Sequence, residues 1–145
     1  EVDVPDDIRK AIWEKFAFLV AMSSVTAATR QTIGPLREND RTRALLVDVV
    51  NEAVSVAAAC GVNLNKDSAA NAVKYWDSLS PEVTSSMMHD LVNGNRLELP
   101  WLGGAVVDLG AKHGVATPVN RVLTGILSPY IAGQPANSVN SSAGN

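Results

Sequence analysis

From Ile8 onward, apolar residues recur at Ile12, Trp13, Phe16, Leu19 and Val20, the three-and-four spacing that marks one face of a helix. From Phe16 to Met22 seven apolar residues then stand in a row, FAFLVAM, so past Lys15 the apolar surface wraps the whole circumference. A helix of that kind has to be enclosed by other elements. The run is far shorter than the roughly 20 residues a membrane span needs, which favours the core of a helical domain over a bilayer crossing. Asp6 or Asp7 is placed to cap the helix, which is expected to end near Arg30 before a break at Ile33-Gly34-Pro35-Leu36.

A second very apolar helix is expected from Asp40 or Arg41 to Cys60, stopped by Gly61. Its valines suit a strand, but a segment of about 20 residues with few turn formers favours helix on length. A third helix opens at Asn65 or Asp67 and carries Val73, Trp76 and Leu79, with Tyr75 at the edge of that face. Pro81 suits the first turn of a fourth, running through Val83, Met87, Met88 and Leu91 to Asn93-Gly94. Pro100 begins a fifth that closes at His113-Gly114, and Thr117-Pro118 begins a sixth that reaches Tyr130. No segment shows sustained period-two alternation. The expected fold is all-α, a single domain of about six helices with two very apolar ones at its centre, and 145 residues suffice for such a core.

Twelve basic residues face fifteen acidic ones and no Lys/Arg stripe is visible, which argues against a nucleic-acid partner. Cys60 is the single cysteine, so no intrachain disulfide can form and a reducing, cytoplasmic location is expected. Residues 1–7 have neither the basic nor the apolar region of a signal peptide and read as a linker, while residues 134–145, small and polar, read as a disordered tail. Gly103-Gly104 is the only adjacent glycine pair and falls inside the fifth helix, so no phosphate-binding loop is recognised. With His89 and His113 as the only histidines and no ligand pair at zinc spacing, no metal site is expected.

Four polar residues stand in apolar surroundings: Lys15, Glu52, Ser86 and Glu98. Each has a structural explanation. Lys15 can lay its methylenes on the core and keep its charge in water. Glu52 can bind a helix end or pair with an arginine, Ser86 can be a helix-face hydroxyl, and Glu98 a solvated loop carboxylate. For Lys15 there is also a chemical explanation, an ammonium held near a cleft to deliver a proton.

The stretch Ser85-Ser86-Met87-Met88-His89-Asp90, with Glu98 twelve residues after Ser86, resembles the C-terminal domain of ketopantoate reductase (2-dehydropantoate 2-reductase). Trp13-Glu14-Lys15, Glu52 followed by Ala59-Cys60-Gly61-Val62, and Gly114-Val115-Ala116-Thr117-Pro118-Val119-Asn120 agree in order, and the resemblance spans about Ile8 to Ile131. It implies a helical domain over residues 8–133, like the C-terminal domain of 6-phosphogluconate dehydrogenase, joined through residues 1–7 to an N-terminal Rossmann domain that holds NADPH. Alone, the helical domain would be inactive. The resemblance further implies reduction of the C2 keto group of ketopantoate or a related small 2-keto acid. Apolar helices in so small a domain can also form an oligomer interface, so a homodimer is expected, with neither a nucleic-acid nor a membrane partner. Lys15 would be the general acid, Ser86 would hydrogen-bond the substrate carboxylate, and Glu98 would fix substrate or cofactor and hold Lys15 protonated. Ser23 would contribute a weaker substrate contact. Three positions depart from the family pattern: Leu19, Ser23 and Gly103 replace asparagines of the better-characterised members. A site with fewer amides recognises a different polar pattern, so either another 2-keto acid is the substrate or the domain is a non-catalytic dimerisation or interaction module.

Overall fold

The computed structural model describes residues 5–133, and the expected tail at 134–145 and most of the expected linker at 1–7 lie outside the described residues. Within them the chain forms α1 (Asp6–Thr29), α2 (Ile33–Glu38), α3 (Asp40–Ala59), α4 (Ser68–Ser78), α5 (Ser86–Asn93), α6 (Gly103–His113) and α7 (Pro118–Leu127). Short 3₁₀ turns lie at Leu99–Trp101 and Ser128–Tyr130, and no strand occurs among the described residues. The all-α expectation holds, with one short helix more than expected.

The two apolar helices are central, as their composition requires. Val20 to Ala27 of α1 is buried without interruption, and α3 buries Leu46, Val49, Val50, Ala53, Val56 and Ala57 against it. Each such Val or Leu contributes on the order of 1.5–3 kcal/mol when fully buried. A second cluster, of Ala27, Met87, Leu91, Leu97, Leu99 and Leu127, ties α5 to α1, α7 and the segment that follows α5. By length and composition α1 could cross a membrane, but half of its most apolar stretch is buried inside this domain.

Four local expectations are corrected. Ile8 and Ile12 are 51% and 60% exposed, because the period of α1 defines a face but only from Ala17 onward does the bundle enclose it. Asp6 and Asp7 are not caps; they lie in the first turn, where their charges still oppose the helix dipole favourably. Ile33 to Leu36 is helical rather than a break. Pro35 falls in the first turn of α2, where its missing N–H would have lacked a partner in any case.

Pro81 likewise does not start a helix. The N–H groups of Ile33 and Gly34 donate to the carbonyls of Val83 (2.8 Å) and Pro81 (2.9 Å), so this segment completes the start of α2 from outside. Gly34 permits the approach, since a Cβ there would lie 2.7 Å from Pro81 Cβ. The start of α5 therefore moves to Ser85, whose side chain accepts the N–H of Met88 at 3.1 Å. Pro100 similarly opens the 3₁₀ turn, and α6 begins at Gly103-Gly104.

Candidate active site

Of the four polar residues singled out in the sequence, Glu52 is structural. Its half-buried carboxylate accepts the N–H groups of Val119 (2.8 Å) and Asn120 (2.9 Å) and the Asn120 side-chain amide (2.7 Å), which caps α7 from α3. It holds one helix to another rather than facing an open cavity.

Lys15, Leu19 and Ser23 follow one another at intervals of four along α1 and therefore form a single stripe. That stripe borders two neighbouring open cavities. The larger, about 520 Å³, lies between α1, α3 and α4 and is lined by Lys15, Leu19, Phe18, Ser68, Asn71 and Tyr75 among others. The smaller, about 220 Å³, lies between α1 and the segment leading into α5, and Ser23, Thr84 and Ser86 supply its free hydroxyls. Phe18, Leu19 and Tyr75 line both. Phe18 meets Tyr75 edge-on at 4.8 Å and stacks on Trp76 at 5.8 Å, which holds α4 beside α1 where the cavities adjoin.

The two serines of the Ser-Ser pair do different work. Thr26 donates its single hydroxyl proton to Met22 O at 2.6 Å, so Ser85 must donate to Thr26 across their 2.6 Å contact. With the Met88 N–H bond also accepted, Ser85 has no proton left to donate to a ligand. Ser86 is exposed at the first position of α5, and the N–H groups of Ser86 and Met87 have no partner within the helix. A hydroxyl and two free amides at a helix N-terminus suit a carboxylate.

Lys15 is exposed at the lip of the larger cavity, and Ser23 is almost buried. Glu98 is exposed in the segment after α5 and lines neither cavity. Among the described residues the ion pair is Arg43 with Asp77 on the far side of α4, and no such pair joins Glu98 to Lys15. The structure thus places Lys15 at the larger cavity and Ser23 and Ser86 at the smaller one, the two sharing Phe18, Leu19 and Tyr75, and leaves Glu98 outside both. Gly103 is set apart as well: a Cβ there would approach Thr124 Oγ1 to 3.0 Å and Ser24 Oγ to 3.2 Å, so the space a larger side chain would need is filled.

Thr84 went unrecognised in the sequence. Its hydroxyl is buried at the smaller cavity without a hydrogen-bond partner. A hydroxylated residue directly ahead of the Ser-Ser pair was the available signal, hidden by the expectation that Pro81 already began the helix.

The chain belongs to the ketopantoate reductase family: the family described as "Ketopantoate reductase PanE/ApbA C terminal" matches residues 7–130. It is 28% identical to the 2-dehydropantoate 2-reductase of Pyrobaculum aerophilum over 126 residues, covering 87% of this chain and 45% of that protein. Dimeric ketopantoate reductase from Staphylococcus aureus superposes with a TM-score of 0.80 at 26% identity, covering 85% of this chain and 43% of that one. A D-mandelate dehydrogenase bound to NADH and anilino(oxo)acetate superposes with a TM-score of 0.79 at 25% identity, over 87% of this chain and 42% of that one. The chain spans less than half the length of the curated relatives it matches.

A nicotinamide cofactor needs a strand, a glycine-rich turn and a helix to hold its pyrophosphate. The described residues contain no strand, so they do not form that cradle. What they place beside the larger cavity is an exposed ammonium, that of Lys15.

Proposed function

We propose that this chain is the substrate-binding and acid-catalytic domain of an NADPH-dependent 2-keto-acid reductase of the ketopantoate reductase type. The observation that carries the proposal is the pair of adjoining cavities, with Lys15 at the larger and Ser23 and Ser86 at the smaller, joined along Phe18, Leu19 and Tyr75. The substrate carboxylate is held by the Ser86 hydroxyl and the first N–H groups of α5, with Ser23 beside them. Lys15 Nζ, on its flexible stem, reaches along Leu19 to the C2 oxygen and protonates it as negative charge develops there. Phe18 and Tyr75 keep water from the reacting carbon. NADPH, bound by a Rossmann domain upstream, supplies the hydride. Glu98, outside both cavities in this domain, acts in the assembled protein by fixing substrate or cofactor. The dimeric Staphylococcus aureus relative supports a homodimer.

The test follows NADPH oxidation by the full-length protein across a panel of 2-keto acids. Turnover of at least one of them is the expected result. Absence of turnover throughout would leave the domain as a non-catalytic dimerisation or interaction module, the reading that Leu19 and Ser23 otherwise favour.

A further inference from the structure

Within that reading, we infer that the substrate is a 2-keto acid whose side chain is apolar and carries no hydroxyl. The smaller cavity has a polar end and an apolar wall. At the polar end stand Ser23, Thr84 and Ser86 beside the first amides of α5, while Ser85 is spent on Thr26 and Met88. All the free groups there can donate, and a carboxylate is acceptor-only, so this end takes the carboxylate. The Thr84 hydroxyl beside this end is enclosed and unpaired, at a cost of about 1–3 kcal/mol.

With the carboxylate at that end and the C2 oxygen toward Lys15, the C3 substituents are left facing Phe18, Leu19, Met22, Leu79 and Val83, with Tyr75, itself 53% exposed, as the one hydroxyl-bearing residue beside them. The other five side chains have no group that hydrogen-bonds well. Leu19 is decisive. It stands between Lys15 and Ser23 on the stripe, lines both cavities and is 39% exposed, so it presents a methyl-tipped surface to whatever lies between acid and carboxylate site. A substrate hydroxyl pressed there gives up water and gains no partner. A pocket of this kind rejects an added hydroxyl by up to about a hundredfold.

The experiment compares kcat/KM of the full-length reductase with NADPH for ketopantoate and trimethylpyruvate, which differ only in that the second lacks the terminal hydroxyl. Trimethylpyruvate is expected to be favoured by roughly tenfold to a hundredfold. Leu19→Asn is expected to shift the ratio toward ketopantoate by at least about tenfold, with Leu19→Gln as a second variant and the helical circular-dichroism melt as the check on folding. Ser86→Ala should raise KM for both acids alike, because the carboxylate is common to them. Preference for ketopantoate, or a ratio unmoved by both Leu19 variants, would overturn the apolar subsite while leaving the 2-keto-acid reductase reading intact. Failure to turn over any 2-keto acid would overturn both.

Discussion

Glu52 and the Ser85-Ser86 pair show what a polar residue in apolar surroundings does at the scale of a single side chain. Glu52 was legible as a carboxylate that binds a helix end or pairs with an arginine, because a carboxylate on a core helix has to find donors. The identity of that end, α7 from 67 residues away, follows only from the packing. Glu52→Ala is expected to destabilise the domain by about 2–3 kcal/mol, since charge-assisted bonds to two backbone amides are lost, and a denaturant midpoint at unchanged slope measures it. The division of labour between Ser85 and Ser86 was not legible, for Thr26 lies 59 residues from its partner. On the opposite side of α4, Arg43 forks onto Asp77 at 2.8 and 2.7 Å, and that hydrogen bonding holds the carboxyl below its ordinary value of 3.8. A depressed carboxyl stabilises the folded state above its unfolded pKa and stops doing so as pH falls through its folded one. Asp77→Asn should therefore lower the melting temperature slightly at neutral pH, and the difference from wild type should vanish once the carboxyl is protonated below that ordinary value.

At the scale of elements, the lengths and apolar character of α1 and α3 were plain in the sequence. The role of the prolines was not. Pro35 and Pro81 both stand where a helix could start or break, and local propensity does not choose between them. The choice is made by two backbone hydrogen bonds, from Ile33 and Gly34 to the carbonyls of Val83 and Pro81, which join segments about 50 residues apart. Those bonds also set the path of the chain into Thr84, Ser85 and Ser86, so α2 positions the hydroxyl-bearing end of the smaller cavity. Gly34→Ala would place a Cβ 2.7 Å from Pro81 Cβ and 3.0 Å from its carbonyl oxygen. The expected cost is about 1–3 kcal/mol from overpacking, with KM for the keto acid rising more than kcat falls. An unchanged KM would detach α2 from the site.

For the molecule as a whole, helical periodicity and the absence of alternation were enough to state an all-α domain, because an apolar circumference can only be satisfied by enclosure. The exposed turns at Ile8 and Ile12 show the limit of that inference: a pattern names a face without naming what covers it. The candidate site is legible in the same partial way. Lys15 borders the larger cavity and Ser23 and Ser86 the smaller, Glu98 lines neither, and Thr84 joins the smaller one through packing that no spacing reveals. The central claim is that Lys15 donates the proton in the reduction of a 2-keto acid, and the most direct measurement is kcat/KM of Lys15→Ala in the full-length protein beside its melting temperature. Because Lys15 is exposed, the expected result is a fall of about a hundredfold to ten-thousandfold in kcat/KM with an almost unchanged melt. Retention of wild-type kcat/KM by the alanine variant would contradict it.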